Sequence, residues 1–216
     1  MRREHPAGDR DVQKDRVPLG FGNLYASAGD HIGHFYRTSE EEMSVLVSFL
    51  KAGLQTRNKC VCLMSSGLKC QEVQETLKAD GIDVERAFSS GQLVIDEGKS
   101  HPQELKDMLS QALEEIPAKF DLLRWVGVMS WALKKVPTSE KLMEWESHCN
   151  IVEDPAAIFL CQYELPTFLG TVVMDAMKTH PICIVSGVIH QNPYYDKPED
   201  YLEELQQRAS VCHGPL

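Results

Sequence analysis

Apolar positions in this chain form short runs and helical stripes that alternate from near residue 18 to near residue 201. Met43, Leu46, Val47, Leu50 and Leu54 recur at i, i+3, i+4, i+7 and i+11, which predicts a helix from about Glu40 to Leu54 with one buried face. Thr38 with Glu41, or Ser39 with Glu42, offers a capping box at its start. Lys59–Met64 is short, apolar and followed by Ser65-Ser66-Gly67, so it reads as a buried strand. A helix over about 69–79 stops at Asp80-Gly81, and Gln92–Asp96 forms a second strand. Leu105, Met108, Leu109, Ala112, Leu113 and Ile116 share one face of a helix over 102–116, capped by Ser100 with Gln103 and ended by Pro117. Leu122–Met129 is the third strand, and a helix over about 139–152 follows with Leu142, Trp145, Cys149 and Val152 on one side. The fourth strand is Ala157–Tyr163, and the next helix, 166–178, opens at Pro166. Pro181–Val185, running on to Ile189, is the fifth strand, and a helix over about 198–209 closes the pattern.

Strands alternating with helices of this length predict βαβ units: an α/β fold with a mostly parallel, doubly wound sheet flanked by helices. Ligands of such sheets lie beyond the carboxyl ends of the strands. That directs attention to Ser65-Ser66, Asp96-Glu97, Met129 to Trp131 and Tyr163-Glu164. The first sixteen residues carry nine charged side chains and almost nothing to bury. Residues 1–17 therefore read as a disordered tail, and residues 18–210 as one domain.

Composition narrows the function. Lys and Arg total 22 against 32 Asp and Glu, a formal net charge of −10. Such a surface repels phosphate backbones, which argues against direct nucleic-acid binding. No apolar stretch approaches the roughly 18–20 residues that span a bilayer, and the N-terminus has no apolar core of a secretory signal. The seven cysteines are odd in number and sit mostly inside apolar runs, so they read as reduced thiols of a cytoplasmic protein.

Several groups carry candidate chemistry. Gly98-Lys99-Ser100 lies between a strand and a helix, but a phosphate loop needs a glycine where Leu93 stands. No Gly-x-Gly-x-x-Gly follows any strand, so a dinucleotide site has no support. His31 and His34 would share a face on a helix and oppose one another on a strand. His31, Cys161 and His180 offer imidazole and thiolate to a transition metal, although no spacing is that of a standard zinc site. Cys161 with His180 could alternatively form a thiol nucleophile and base. Glu146, next to Trp145, sits at the edge of a buried helix face and could supply an acid or base.

Taken together, several stretches resemble one family. Gly29-Asp-His-Ile-Gly-His-Phe-Tyr36 ahead of an acidic helix, with Leu19-Gly20-Phe21 upstream, is similar to the opening of the MEDS domain, a sensory domain of methanogens and methylotrophs. Leu123-Arg124, Met129 to Leu133, Glu146 with Asn150, Cys161-Gln162-Tyr163-Glu164 with Phe168 and Gly170, Thr179-His180-Pro181, and Asn192-Pro193-Tyr194-Tyr195 follow in the same order. Two departures stand out: Val128 replaces a glutamate common in the family, and Glu164 replaces an aspartate.

The resemblance implies a RecA/KaiC-like fold without a working phosphate loop. It also implies a stand-alone sensor of C1 compounds or simple hydrocarbon derivatives, signalling to a kinase, a transcription regulator or a second copy of the chain. The expected ligand-binding set is His31, Tyr36, Arg124, Trp131, Glu146, Cys161, His180 and Asn192, gathered at the strand carboxyl ends. In this reading Arg124 pairs with Glu146 or an anionic ligand, Tyr36 and Trp131 form apolar walls, and Asn192 closes the site with a turn. The alternative is a thiol-dependent enzyme or a degenerate nucleotide-binding ATPase.

Overall fold

A computed structural model of the chain describes residues 16–99, 101–136, 138–151 and 156–211. The elements run β1 (Val17–Pro18), β2 (Tyr25–Ala26), β3 (His31–Tyr36), α1 (Ser39–Leu54), β4 (Asn58–Met64), α2 (Gly67–Ala79), α3 (Val84–Ser89) and β5 (Leu93–Glu97). They continue with α4 (Pro102–Glu114), α5 (Ile116–Lys119), β6 (Leu122–Val128), a 3-10 turn at Met129–Trp131, α6 (Ala132–Lys135), α7 (Ser139–Cys149) and β7 (Ala157–Glu164). The last are α8 (Gly170–Thr179), β8 (Ile182–Val185), β9 (Val188–Gln191) and α9 (Pro198–Val211).

The main sheet has the order β5-β4-β6-β7-β3-β8-β9, parallel throughout except for β9 at the edge. Helices cover both faces. Residues of α1, α2 and α3 pack on one face with Ile32, Cys60, Cys62, Val126 and Leu160. Residues of α4 to α9 pack on the other with Phe35, Val61, Trp125, Phe159 and Cys161. Strands buried on both sides need no polar alternation, which is why β4, β6 and β7 read as near-continuous apolar runs.

The sequence pattern left β3 unassigned because two histidines and a glycine interrupt it. It is nonetheless a central strand with every residue buried, held between β7 and β8. The predicted fifth strand does not run on to Ile189. Ser186 and Gly187 both take positive φ (50° and 74°), and the chain reverses into the β8–β9 hairpin. The helix predicted from Pro166 begins at Gly170. The N–H groups of Thr167 and Phe168 instead turn back onto the Glu164 carbonyl, and Leu169 is extended. Pro117 does not end a helix but occupies an early position in α5, where its missing N–H costs nothing. Ser100 and Val152 lie outside the described residues, as does residue 1–15 of the proposed tail; Val17, at its end, already pairs with Ala26.

Candidate functional site

Strand alternation decides which side chains meet. Within β3, His31 and Gly33 face α7 and α8, whereas Ile32, His34 and Tyr36 face α1. On β7, Cys161 and Tyr163 share the face of His31. His180 caps α8 just before β8, and Glu146 projects inward from α7. The result is a quartet of His31, Glu146, Cys161 and His180, all buried, whose ligand-type atoms lie within 4.8 Å of one another. Glu146 Oε2 sits 3.2 Å from His31 Nε2, 3.6 Å from His180 Nε2 and 3.3 Å from Cys161 Sγ. His31 Nε2 is 3.4 Å from Cys161 Sγ.

A second layer orients these four. The Tyr163 hydroxyl donates to Glu146 Oε1 at 2.5 Å. His31 Nδ1 lies 3.2 Å from Asn150 Oδ1, while Asn150 Nδ2 donates to the carbonyls of Thr179 and Glu146. His180 Nδ1 donates to the Ala176 carbonyl at 2.6 Å. His180 also leans over β3 at Gly33, where an added β-carbon would come within 3.0 Å of His180 Cγ. Asn192 Nδ2 donates to the carbonyls of Met177 and His180, and its Oδ1 accepts from the Tyr194 N–H, which ties this turn to the His180 segment.

Burial dominates the electrostatics. Burial first, then Glu146, pushes the Cys161 thiol well above its ordinary range. Burial, then neighbouring His31, lower the pKa of His180, with Glu146 opposing. Burial opposes ionisation of Glu146, but its contact with His31, the two imidazoles and Tyr163 outweigh it and hold the carboxyl below the usual range. Burial and the Glu146 carboxylate thus both disfavour the thiolate form of Cys161.

A family model, MEDS (methanogen/methylotroph, DcmR sensory domain), matches residues 30–181. The chain belongs to the MEDS family. The transcriptional repressor DcmR of Methylorubrum extorquens is 28% identical over 173 residues, which are 79% of this chain and 65% of that protein. The chain thus spans just under two thirds of that relative's length. Among solved structures, a KaiC-like protein from Pyrococcus horikoshii aligns with a TM-score of 0.60 at 14% identity, over 78% of this chain and 79% of that one. The flagellar accessory protein FlaH of Methanocaldococcus jannaschii aligns at 0.54 and 13% identity, over 84% and 91%. These two likenesses establish the fold alone. Membership in MEDS gives the chain a sensory or regulatory role.

Set on this MEDS fold, the sequence-based site divides. The structure brings together His31, Glu146, Cys161 and His180, with Asn192 behind them. Arg124 does not pair with Glu146. Its position in β6 turns it to the opposite face, where it donates to Asn58 Oδ1, the Phe49 carbonyl and the Pro18 carbonyl. Tyr36 also points to the opposite face, 5.5 Å from the His34 ring, so it is no wall of the quartet. Trp131 is buried at the end of β6 and its indole covers Gly98. The quartet lies beneath the start of β3 and the approach to β8, not beyond the strand carboxyl ends. At the end of β3 only a two-residue link leads into α1, and the Leu165 N–H bonds to the Tyr36 carbonyl.

That link also bears on the phosphate loop. Only Arg37 and Thr38 separate β3 from α1, too few residues to curl round a phosphate. Lys99, the other phosphate-loop candidate, pairs with Asp96 at the sheet edge. Val128 faces the α1 side, opposite Gln162 in the ladder, so the missing family glutamate does not touch the quartet. Sequence reasoning reached Tyr163 only as part of the strand-end zone and Asn150 only through the resemblance, and gave Gly33 no role. The signals were present: Tyr163 is two residues from Cys161 on a strand, and Asn150 is four from Glu146 on a helix.

Proposed function

We propose that residues 18–210 form a cytoplasmic, non-catalytic sensory domain centred on His31, Glu146, Cys161 and His180. It responds to a small C1 or simple hydrocarbon-type molecule and passes the signal to a regulatory partner protein, or to a second copy of the chain. One observation carries this reading: a fully buried polar quartet in which His180 Nε2 has no hydrogen-bond partner among the described residues. Buried polar atoms left unpaired are costly, and they persist where a site needs them.

α7 is the element suited to report occupancy. It presents Glu146 to the quartet, and on its outer side Lys141, Glu144 and His148 border a hollow of about 730 Å³ shared with Leu202 and Leu205 of α9. In this reading a small molecule enters the buried centre by displacing that helix. A ligand that binds the displaced conformation better shifts its population. The two-residue β3–α1 link and the raised Cys161 thiol weigh against the nucleotide and thiol-enzyme alternatives.

Thermal melts of the full chain with methanol, formate, chlorinated methanes or ATP test this. A ligand at a hundred times its Kd raises Tm by about 5–10 °C for a protein of this size. The expected result is a rise with a C1 compound that His180→Ala abolishes. A rise with ATP alone, or with none of the compounds, overturns the reading.

A further inference from the structure

We propose that the quartet is a binding site for one divalent first-row transition-metal ion, ligated by His31 Nε2, His180 Nε2, Glu146 Oε2 and Cys161 Sγ. The inference rests on the sensory reading above and names what its centre holds.

Spacing is the first argument. An ion with tetrahedral bonds of about 2.0–2.3 Å holds its ligand atoms about 3.3–3.7 Å apart. The four separations at Glu146 and His31 are 3.2, 3.3, 3.4 and 3.6 Å. All four ligand-type atoms lie within 4.8 Å of one another, a cluster of the size that one ion spans.

Proton placement is the second. His180 donates from Nδ1 to the Ala176 carbonyl, so in the neutral ring Nε2 carries a lone pair. That lone pair faces a carboxylate oxygen, Glu146 Oε2, across 3.6 Å. Asn150 uses its amide N–H groups on two carbonyls, which turns its Oδ1 to His31 Nδ1 and makes that nitrogen a donor too. In the neutral ring, His31 Nε2 then also presents a lone pair to the centre. A proton on His31 Nε2 would serve Glu146 but leave His180 Nε2 unpaired, whereas a cation in the middle serves all four atoms.

The third argument is charge. A divalent ion with one carboxylate, one thiolate and two neutral imidazoles sums to zero, the condition a site shut off from water requires. Each ligand also has an outer partner: Ala176 for His180, Asn150 for His31, and Tyr163 on the free oxygen of Glu146. Such partners fix the tautomer and direction of metal ligands. On binding, the Cys161 S–H bond breaks and its proton goes to solvent, the hydrated ion sheds its water, and four bonds to the metal form with no change of oxidation state.

The test uses the full chain, stripped with a chelator under reducing conditions and titrated with cobalt(II). The expected result is a sulfur-to-cobalt charge-transfer band in the near ultraviolet, with intense visible bands of four-coordinate cobalt. Both saturate at one ion per chain and are displaced by zinc. Cys161→Ser removes the charge-transfer band and Cys70→Ser, on the opposite side of the sheet, leaves it. Tyr163→Phe and Asn150→Ala weaken affinity about 10–100-fold. Should Cys161→Ser fail to fold, the wild-type titration still decides. A folded wild type that gives no charge-transfer band, or whose band survives Cys161→Ser, overturns the metal site. A C1-dependent Tm rise without cobalt binding removes the metal and leaves the sensor; cobalt binding without any C1 response does the reverse.

Discussion

Gly33 and His180 are matched across the β3–β8 boundary: the imidazole occupies the volume that a β-carbon on residue 33 would need. Cγ and Cβ of His180 lie 3.0 and 3.2 Å from that position, and the Phe35 ring is equally close. The ring can therefore lie against the strand and turn Nε2 toward Glu146. Gly33→Ala should force the ring away, costing about 1–3 kcal/mol by overpacking. Urea denaturation measures the stability, and cobalt titration of the same variant should show weakened binding. An alanine variant with wild-type stability and affinity would mean that His180 has freedom the packing denies it.

Arg124 is a structural cation. Its guanidinium lies on the α1 face and serves an amide and two backbone carbonyls drawn from three separate parts of the chain. Arg124→Met keeps the length and removes every donor, leaving buried acceptors unpaired at about 1–3 kcal/mol each. The variant should lose on the order of 3 kcal/mol in urea melts while cobalt binding is unaltered. A stable Arg124→Met protein with altered ligand response would return Arg124 to the site.

His34 should make the fold sensitive to mild acid. Burial lowers its pKa to about 4, Glu41 opposing only weakly, and its neighbours are Gln162 and the Tyr36 ring. In the unfolded chain the ring takes its proton near pH 6.5. Between about pH 6.5 and 4 the unfolded state therefore binds a proton that the folded state refuses, and stability falls as pH falls. Wild type should lose up to about 1.4 kcal/mol per pH unit more than His34→Gln across that window. The other buried groups are common to both proteins and cancel. Parallel stability curves for the two would refute the effect.

Cys161 should resist alkylation. Iodoacetamide needs an accessible thiolate, and Cys161 is buried beside a carboxylate that raises its pKa. Cys70, on α2 and partly exposed, should react before it at neutral pH. Mass spectrometry of the metal-free protein reads the order. Fast, selective labelling of Cys161 would revive the thiol-enzyme alternative.

The linear pattern was sufficient for the parallel strands other than β3. Apolar runs at Lys59–Met64, Leu122–Val128 and Ala157–Tyr163 become β4, β6 and β7 because a parallel strand covered on both faces needs nothing but continuous apolar character. The helix stripes held for the same local reason, as at Leu46 and Leu50 on α1. β3 was illegible because its polar residues are paid for by distant partners: Asn150 for His31, Gln162 for His34. No local rule anticipates a histidine satisfied from more than a hundred residues away.

By itself, then, the sequence determined an alternating α/β scaffold, the absence of a phosphate loop, and a short roster of histidine, thiol and carboxylate groups. Tertiary structure decided which of them meet. Residues on a strand alternate between two faces, so the register of β3, β6 and β7 places His31 and Cys161 on one side and Arg124, His34 and Tyr36 on the other. Only the packing of α7 and α8 over the first of those sides brings Glu146 and His180 to the same point.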